Sequence, residues 1–165
     1  MFGSVLILCV TLAVATAVVP AQVVVRVEPA QLEGPRTLAE QTRTAAIRDY
    51  LESWQSLKAA FAHNQAELLD EDFAGIAREK LAGTIHEQAA LGIRTPYQDL
   101  AHDLRIVYYS PEGLSIELTD TVSYDVQVLD HERPIATQQV HARYIAILTP
   151  SEVRWRVRVF EAVPE

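Results

Sequence analysis

The sequence predicts an α+β fold in which N-terminal helices pack on a curved, four-stranded antiparallel sheet, preceded by an apolar N-terminal segment. Residues 37–91 repeat apolar side chains at intervals of three and four, which is typical of helices. Residues 97–161 alternate apolar and polar side chains, which is typical of strands with one buried face. Because the two patterns are segregated along the chain, α+β is favoured over alternating α/β.

The N-terminal segment, residues 1–21, carries no charged side chain, and the first charge in the chain is Arg26. It fits a signal peptide, with a possible cleavage site at Val19-Pro20-Ala21. It also fits a membrane anchor, since the uncharged stretch approaches the roughly 20 residues that span a bilayer. Either interpretation places the domain outside the cytoplasm, secreted or periplasmic if cleaved and tethered if not. Cys9 is the only cysteine, so no intrachain disulfide is expected.

We predict that residues 22–37 form a linker and residues 38–163 the folded domain. The linker contains Pro29, Gly34 and Pro35, which disfavour regular structure. Within it, Val23 to Val27 could form a short edge strand.

The helical part is predicted as two main helices. The first runs from about Thr37 to His63, with an apolar stripe that includes Tyr50, Trp54 and Phe61 and is interpreted as core. The second runs from about Asp72 to Leu91 and stops at Gly92. The carboxylates of Asp70, Glu71 and Asp72 are interpreted as a helix start, since they lack the spacing of a calcium loop.

Four strands follow, with turns rich in Pro, Gly and charged residues between them. The strands are predicted at Tyr97–Tyr109, Leu114–Val128, Ile135–Leu148 and Val153–Glu161. In the last strand Val153, Trp155, Val157 and Val159 should face the core.

Two groups of residues on the strands are candidate site residues. Asp120 interrupts the apolar face of the second strand, where an ionised carboxylate is costly unless paired. With His102 and Tyr124 as neighbours it could act as a general base. A β-bulge that turns Asp120 to solvent is the other interpretation.

The second group is a basic stripe made of Arg154, Arg156, Arg158 and Arg143. It is a candidate binding surface for an anionic partner. It would not be one if its charges pair across the sheet with carboxylates such as Glu117 and Asp125.

Charge and motifs exclude several classes of function. A net charge of −8 and a pI near 5.1 argue against nucleic acid and anionic membranes as partners. The five histidines share no metal-ligand spacing, and no phosphate-binding loop is present, so no metal and no cofactor are predicted.

The order of elements and several short motifs resemble the nuclear-transport-factor-two-like group, the cystatin-like or cone fold. In particular they resemble the intermembrane-space domain of plastid-division proteins of the ARC type and its bacterial relatives. The matching stretches are Tyr50–Lys58, Glu67–Asp70, the helix ending at Gly92, Tyr97–Tyr109 and Arg154–Val157. The resemblance implies a domain that binds a protein partner without catalysis, and cone folds often form homodimers through the sheet. The wider superfamily also includes isomerases and cyclases.

We therefore predict a non-enzymatic, extracytoplasmic domain that binds a protein or a small apolar ligand. The alternative is a cone-fold isomerase or cyclase with Asp120 as its general base. The enzyme requires an open cavity with Asp120 or His102 facing a tyrosine inside it. The binding domain requires a cavity filled by Trp54, Trp155 and their neighbours.

Overall fold

The computed structural model describes residues 22–30, 32 and 36–163, and in it two helices cover one face of a six-stranded sheet. The N-terminal segment, residues 1–21, lies outside the described residues. The helices are α1 (Glu40–His63) and α2 (Gly75–Ala90), with a short 3-10 helix at Ala66–Leu69 between them. The strands are β1 (Val24–Val27), β2 (Ile93–Arg94), β3 (Tyr97–Tyr109), β4 (Ile116–Asp130), β5 (Arg133–Pro150) and β6 (Trp155–Val163).

The sheet has the order β1-β3-β4-β5-β6, with β2 paired to the far end of β4. The antiparallel succession of β3, β4, β5 and β6 confirms the central part of the prediction. The prediction of a purely antiparallel four-stranded sheet is wrong in two details. The stretch Val24–Val27, inside the predicted linker, pairs with β3 in parallel, and the two-residue strand β2 adds a sixth strand.

Both helices begin later than predicted. The first starts at Glu40 rather than Thr37 and ends where Asn64 adopts a left-handed conformation with φ 56°. The second starts at Gly75 rather than Asp72, because the carboxylate of Asp72 accepts hydrogen bonds from Ser56 and Arg154 instead of capping a helix.

The core lies between the helices and the sheet face that they cover, which we call the inner face. Buried positions on α1 recur at three and four residues, as the sequence predicts. The strands contribute every second residue. The apolar strand residues that are at most 1% exposed are Leu104, Ile116, Leu118, Val122, Ala146, Leu148 and Val157.

A β-bulge changes which residues of β6 face the core. Ile147 pairs with Val159 whereas Leu148 pairs with Val157, so Arg158 is an extra residue. The alternation therefore shifts by one position, and Phe160 packs against the core in place of the predicted Val159. Val153 was predicted to face the core, but it precedes the strand and is 84% exposed.

The loop before α2 is fastened to β6. The backbone N–H of Ala74 donates to the carbonyl of Val157, and the N–H of Val157 donates to the carbonyl of Asp72. The backbone N–H of Trp155 donates to the buried carboxylate of Asp49 on α1 at 2.8 Å. The last strand is thus tied to the helical layer by main-chain hydrogen bonds as well as by apolar packing.

Candidate functional site

A cavity of about 340 Å³ lies between the two helices and the inner face of the sheet; we call it the inner cavity. Its volume falls within the range of about 300–1,000 Å³ that is common for ligand pockets. The prediction that Trp54 and Trp155 fill the cavity is therefore wrong, because Trp54 lines it and Trp155 is not among its lining residues. The lining is mostly apolar and aromatic. It consists of Trp54, Leu57, Phe61, Leu81, Thr95, Tyr97, Tyr124, Val126, Tyr144 and Phe160.

Three tyrosines give the inner cavity its polar groups. The hydroxyls of Tyr124 and Tyr144 lie 3.4 Å apart, and the hydroxyl of Tyr97 donates to the backbone carbonyl of Trp54 at 3.1 Å. Burial, followed by the hydrogen bond with Tyr124, raises the pKa of Tyr144 above its ordinary value. Burial also raises the pKa of Tyr97. Both phenols are therefore neutral at physiological pH.

Trp54 contacts both the inner cavity and the buried histidine beside it. The side chain is almost completely buried and lines the cavity on one side. The ring packs edge-to-face against His102, with ring centroids 5.1 Å apart, and against Tyr144 at 5.5 Å. Neither His102 nor Asp120 is among the lining residues, whereas Trp54 both lines the cavity and packs against His102.

Asp120 lies at the centre of a buried polar cluster. The hydroxyl of Tyr50 donates to its Oδ2 at 2.9 Å, and Nδ1 of His102 lies 2.8 Å from the same oxygen. All three residues are at most 2% exposed. The prediction that a bulge could turn Asp120 to solvent is wrong, since Asp120 stays in register between Leu104 on β3 and Tyr144 on β5.

Asp120 and the neighbouring Asp99 have carboxylate oxygens that no hydrogen bond reaches. Burial raises the pKa of Asp120, and the hydrogen bond and charge of His102 counteract part of that shift. Burial likewise raises the pKa of Asp99, which charge interactions with His102 and Lys58 and the nearby amide of Gln55 counteract in part. Neither carboxylate oxygen of Asp99 has a hydrogen-bond partner within normal geometry among the described residues, and the same holds for Oδ1 of Asp120. The charged form of the cluster is therefore incompletely compensated.

Two of the four arginines in the basic stripe form contacts that stabilise the fold. Arg154 forms an ion pair with Asp72, which is 4% exposed, rather than with the predicted Glu117 or Asp125. Arg156 donates to the backbone carbonyls of Asp70 and Phe73.

The other two members of the stripe lie apart from this anchor. Arg158 is the bulge residue and is exposed. Arg143 lies on the outer sheet face, opposite Thr121 on β4. The bulge thus prevents the four arginines from forming the regular row that strict alternation predicts.

Sequence reasoning missed three members of the buried cluster and its surroundings. Tyr50 was interpreted only as core, and its hydrogen bond to Asp120 joins residues 70 positions apart. Asp99 is turned inward beside His102 by a bulge at Leu100, which no pattern in the sequence marks. Asp49 lies on the buried face of α1. Its position in the helical repeat could have predicted that its carboxylate is buried and therefore hydrogen-bonded.

The described residues contain neither a metal-binding cluster nor a helix that could span a membrane. Across 22–30, 32 and 36–163, no three His, Cys, Asp or Glu side chains lie close enough together to hold a metal ion. In the same ranges, no helix combines the length and hydropathy needed to cross a bilayer.

Comparison with solved structures identifies the fold. The chain is similar to the intermembrane-space region of the chloroplast protein ARC6, with a TM-score of 0.62 and 21% identity, covering 79% of this chain and all of that one. It is also similar to a putative scytalone dehydratase from Novosphingobium aromaticivorans, with a TM-score of 0.52 and 8% identity, covering 76% of this chain and 89% of that one. No protein-family model matches the sequence, and no curated protein is similar to it in sequence.

These likenesses show that the chain has the nuclear-transport-factor-two-like cone fold, related in structure to the ARC6 domain. The resemblance read from the sequence is confirmed at this level. One structural relative is described as an intermembrane-space region and another as a putative dehydratase, so the shared fold does not decide the function of this chain. Function must therefore be argued from the site.

Proposed function

We propose that this protein is a non-enzymatic binding domain that holds an apolar group, from a protein partner or a small ligand, in the inner cavity. We further propose that it acts outside the cytoplasm, either exported or tethered by residues 1–21. The observation that carries the binding proposal is the composition of the cavity wall, which is almost entirely aromatic and aliphatic. Such a wall favours an apolar occupant through the hydrophobic effect.

The separation of the cavity from the buried carboxylates supports binding over catalysis. A general base must lie within hydrogen-bonding reach of the proton that it removes. Asp120 uses its Oδ2 for Tyr50 and His102, and neither Asp120 nor His102 lines the cavity. A ligand in the cavity therefore contacts tyrosines and apolar side chains rather than the candidate base.

Binding of a neutral aromatic probe tests the proposal. We expect N-phenyl-1-naphthylamine to bind saturably, with a rise in its fluorescence, because it is apolar and uncharged. Leu81→Trp fills the cavity from the α2 side and should weaken binding by at least about tenfold. Leu91→Trp is the matched control, since Leu91 at the end of α2 is 72% exposed and outside the cavity lining. Absence of saturable binding by the wild type, or equal binding by both variants, would contradict the proposal.

A second candidate function is the isomerase or cyclase with Asp120 as general base. The buried Tyr50–Asp120–His102 cluster is the specific observation in its favour, because buried titratable groups with shifted pKa values are common in active sites. This function requires a cavity ligand to reach His102. Ring-proton NMR signals of His102 and Trp54 during the probe titration separate the two functions. We expect the Trp54 signals to shift and those of His102 to change much less.

The proposed location has its own test. Fractionation of the native protein, followed by N-terminal sequencing, distinguishes the leader from the anchor. A mature chain that starts at Gln22 would indicate a cleaved leader, whereas an intact N-terminus in the membrane fraction would indicate an anchor. An intact chain in the cytosolic fraction would refute both interpretations.

A further inference from the structure

The outer edge of β5 is open over more than half of the strand. β5 spans Arg133–Pro150, but its pairing with β6 begins only where Arg143 meets Val163. Residues 133–142 pair with β4 on one side, and no described strand pairs with them on the other. Residues 133–139 are all exposed. The unused N–H and C=O groups of such an edge are available to a further strand.

Beyond its first residues, this edge lacks the features that normally protect an open strand. Proteins usually blunt an edge with lysines, prolines, bulges or inward-pointing charges. On this edge such features are confined to its start, where Pro134 is followed by a bulge at Ile135. The eight residues Ile135–Ala142 include no Lys, Arg, Asp, Glu, Pro or Gly. The register shift between β4 and β5 leaves Ile135 as the extra residue, and the pairing continues in register from Ala136 to Ala142.

The inner face of the open edge leads to the inner cavity. Val140 and Gln138 lie opposite Tyr124 and Val126, both of which line the cavity. Ala142 precedes Tyr144, another lining residue, by one step of the alternation. In an added strand, the residue opposite Ala142 would have Tyr144 as a diagonal neighbour at about 7–8 Å, within reach of an aromatic side chain.

We propose that the open edge of β5 pairs with an extended segment of a partner protein, one of whose large apolar side chains enters the inner cavity. The inference rests on the proposed function, because it uses the same cavity. Backbone hydrogen bonds along the edge supply affinity, and the cavity selects the anchoring side chain. Since the protein has a net charge of −8, a neutral or basic segment is favoured over an acidic one.

A second copy of this chain fits the site less well than such a partner. Pairing of two β5 edges would present Ala136, Gln138, Val140 and Ala142 to the facing inner surface. These side chains are small, polar or short, and none could occupy a cavity of about 340 Å³. The cavity therefore favours a foreign segment with an aromatic or long aliphatic residue.

Peptides of defined pattern test the inference. The probes are nine-residue peptides that alternate Thr with Val, have a Lys at each end, and carry Trp, Phe, Leu or Ser at the centre. We expect the peptides with an apolar centre to slow amide exchange of residues 135–142 at least about tenfold and to shift the NMR signals of Tyr144. The peptide with Ser at its centre should bind at least tenfold more weakly.

Two variants of β5 serve as a matched pair. Val140→Lys places a charge on the inner face of the open edge and should abolish peptide binding. Thr137→Lys places the same charge on the same edge but on the outer face, opposite Gln127, and should leave binding within about twofold. Circular dichroism and thermal unfolding of both variants establish that they are folded.

Three results would overturn the inference. The first is that no peptide protects residues 135–142; if the naphthylamine probe still binds, the proposed function stands and only the strand pairing fails. The second is that Leu81→Trp leaves peptide binding unchanged, which would show that no side chain enters the cavity. The third is concentration-dependent self-association that protects the same residues without peptide and is lost in Val140→Lys, which would assign the edge to a homodimer.

Discussion

Tyr50→Phe isolates a single buried hydrogen bond to a charged group. Tyr50 is fully buried, and its hydroxyl donates to Oδ2 of Asp120 at 2.9 Å. Phe has the same shape without the oxygen, so the substitution leaves almost no cavity. A hydrogen bond to a charged group contributes about 1.5–3 kcal/mol, and Oδ1 of Asp120 has no partner with which to compensate. We expect the free energy of unfolding at pH 7 to fall by about 2 kcal/mol.

Tyr97→Phe is the matched control for this measurement. The hydroxyl of Tyr97 donates to a neutral acceptor, the carbonyl of Trp54, so its loss should cost only about 1 kcal/mol. Urea unfolding followed by circular dichroism gives both values. Equal losses in the two variants would show that Tyr50 does not donate to a charged carboxylate. The difference in free energy of unfolding between the two variants should shrink in acid, because the Tyr50 hydrogen bond lowers the pKa of Asp120 and favours its ionised form.

Three further predictions follow from buried charge and packing. Burial raises the pKa of Asp99, so its ionisation costs stability as the pH rises above the unfolded value of about 3.9. The free energy of unfolding of Asp99→Asn, measured in urea, should therefore exceed that of wild type by an amount that grows from pH 4 to pH 7. A difference that shrinks over this range would contradict the prediction. Trp54→Ala should lower the free energy of unfolding by about 3–5 kcal/mol and Trp155→Ala by less, since Trp155 is only partly buried; the opposite order in the same assay would refute this account of the core. Arg154→Ala removes the ion-pair partner of a buried carboxylate and should cost about 1–3 kcal/mol, whereas Arg158→Ala at an exposed position should change thermal stability little, and equal effects would exclude a special role for the pair.

The inner face of the sheet could be predicted from the sequence because its signal is local and periodic. Leu118, Asp120 and Val122 alternate along β4, and all three are buried as that alternation requires. The apolar stripe of α1 through Tyr50 and Trp54 could also be predicted, since three- and four-residue spacing defines one face of a helix.

The bulge in β6, the parallel strand β1 and the partners of Asp120 depend on contacts between residues distant in sequence. The bulge at Arg158 adds one residue to β6 and exchanges Val159 for Phe160 in the core, without a mark in the composition. The parallel strand Val24–Val27 is too short to carry a period, and its partner on β3 is distant in sequence. The partners of Asp120 likewise come from α1 and β3, so the alternation located the carboxylate but could not identify what satisfies it.

The ties between β6 and the helical layer affect the timing of folding. The helices are made first, but the main-chain bonds that fix the loop before α2 come from Val157, near the end of the chain. We therefore expect the helices to dock stably only after β6 has been synthesised. A chain that stops after Pro150 should lack a cooperative unfolding transition, and a cooperative one would show that the helical half is stable by itself.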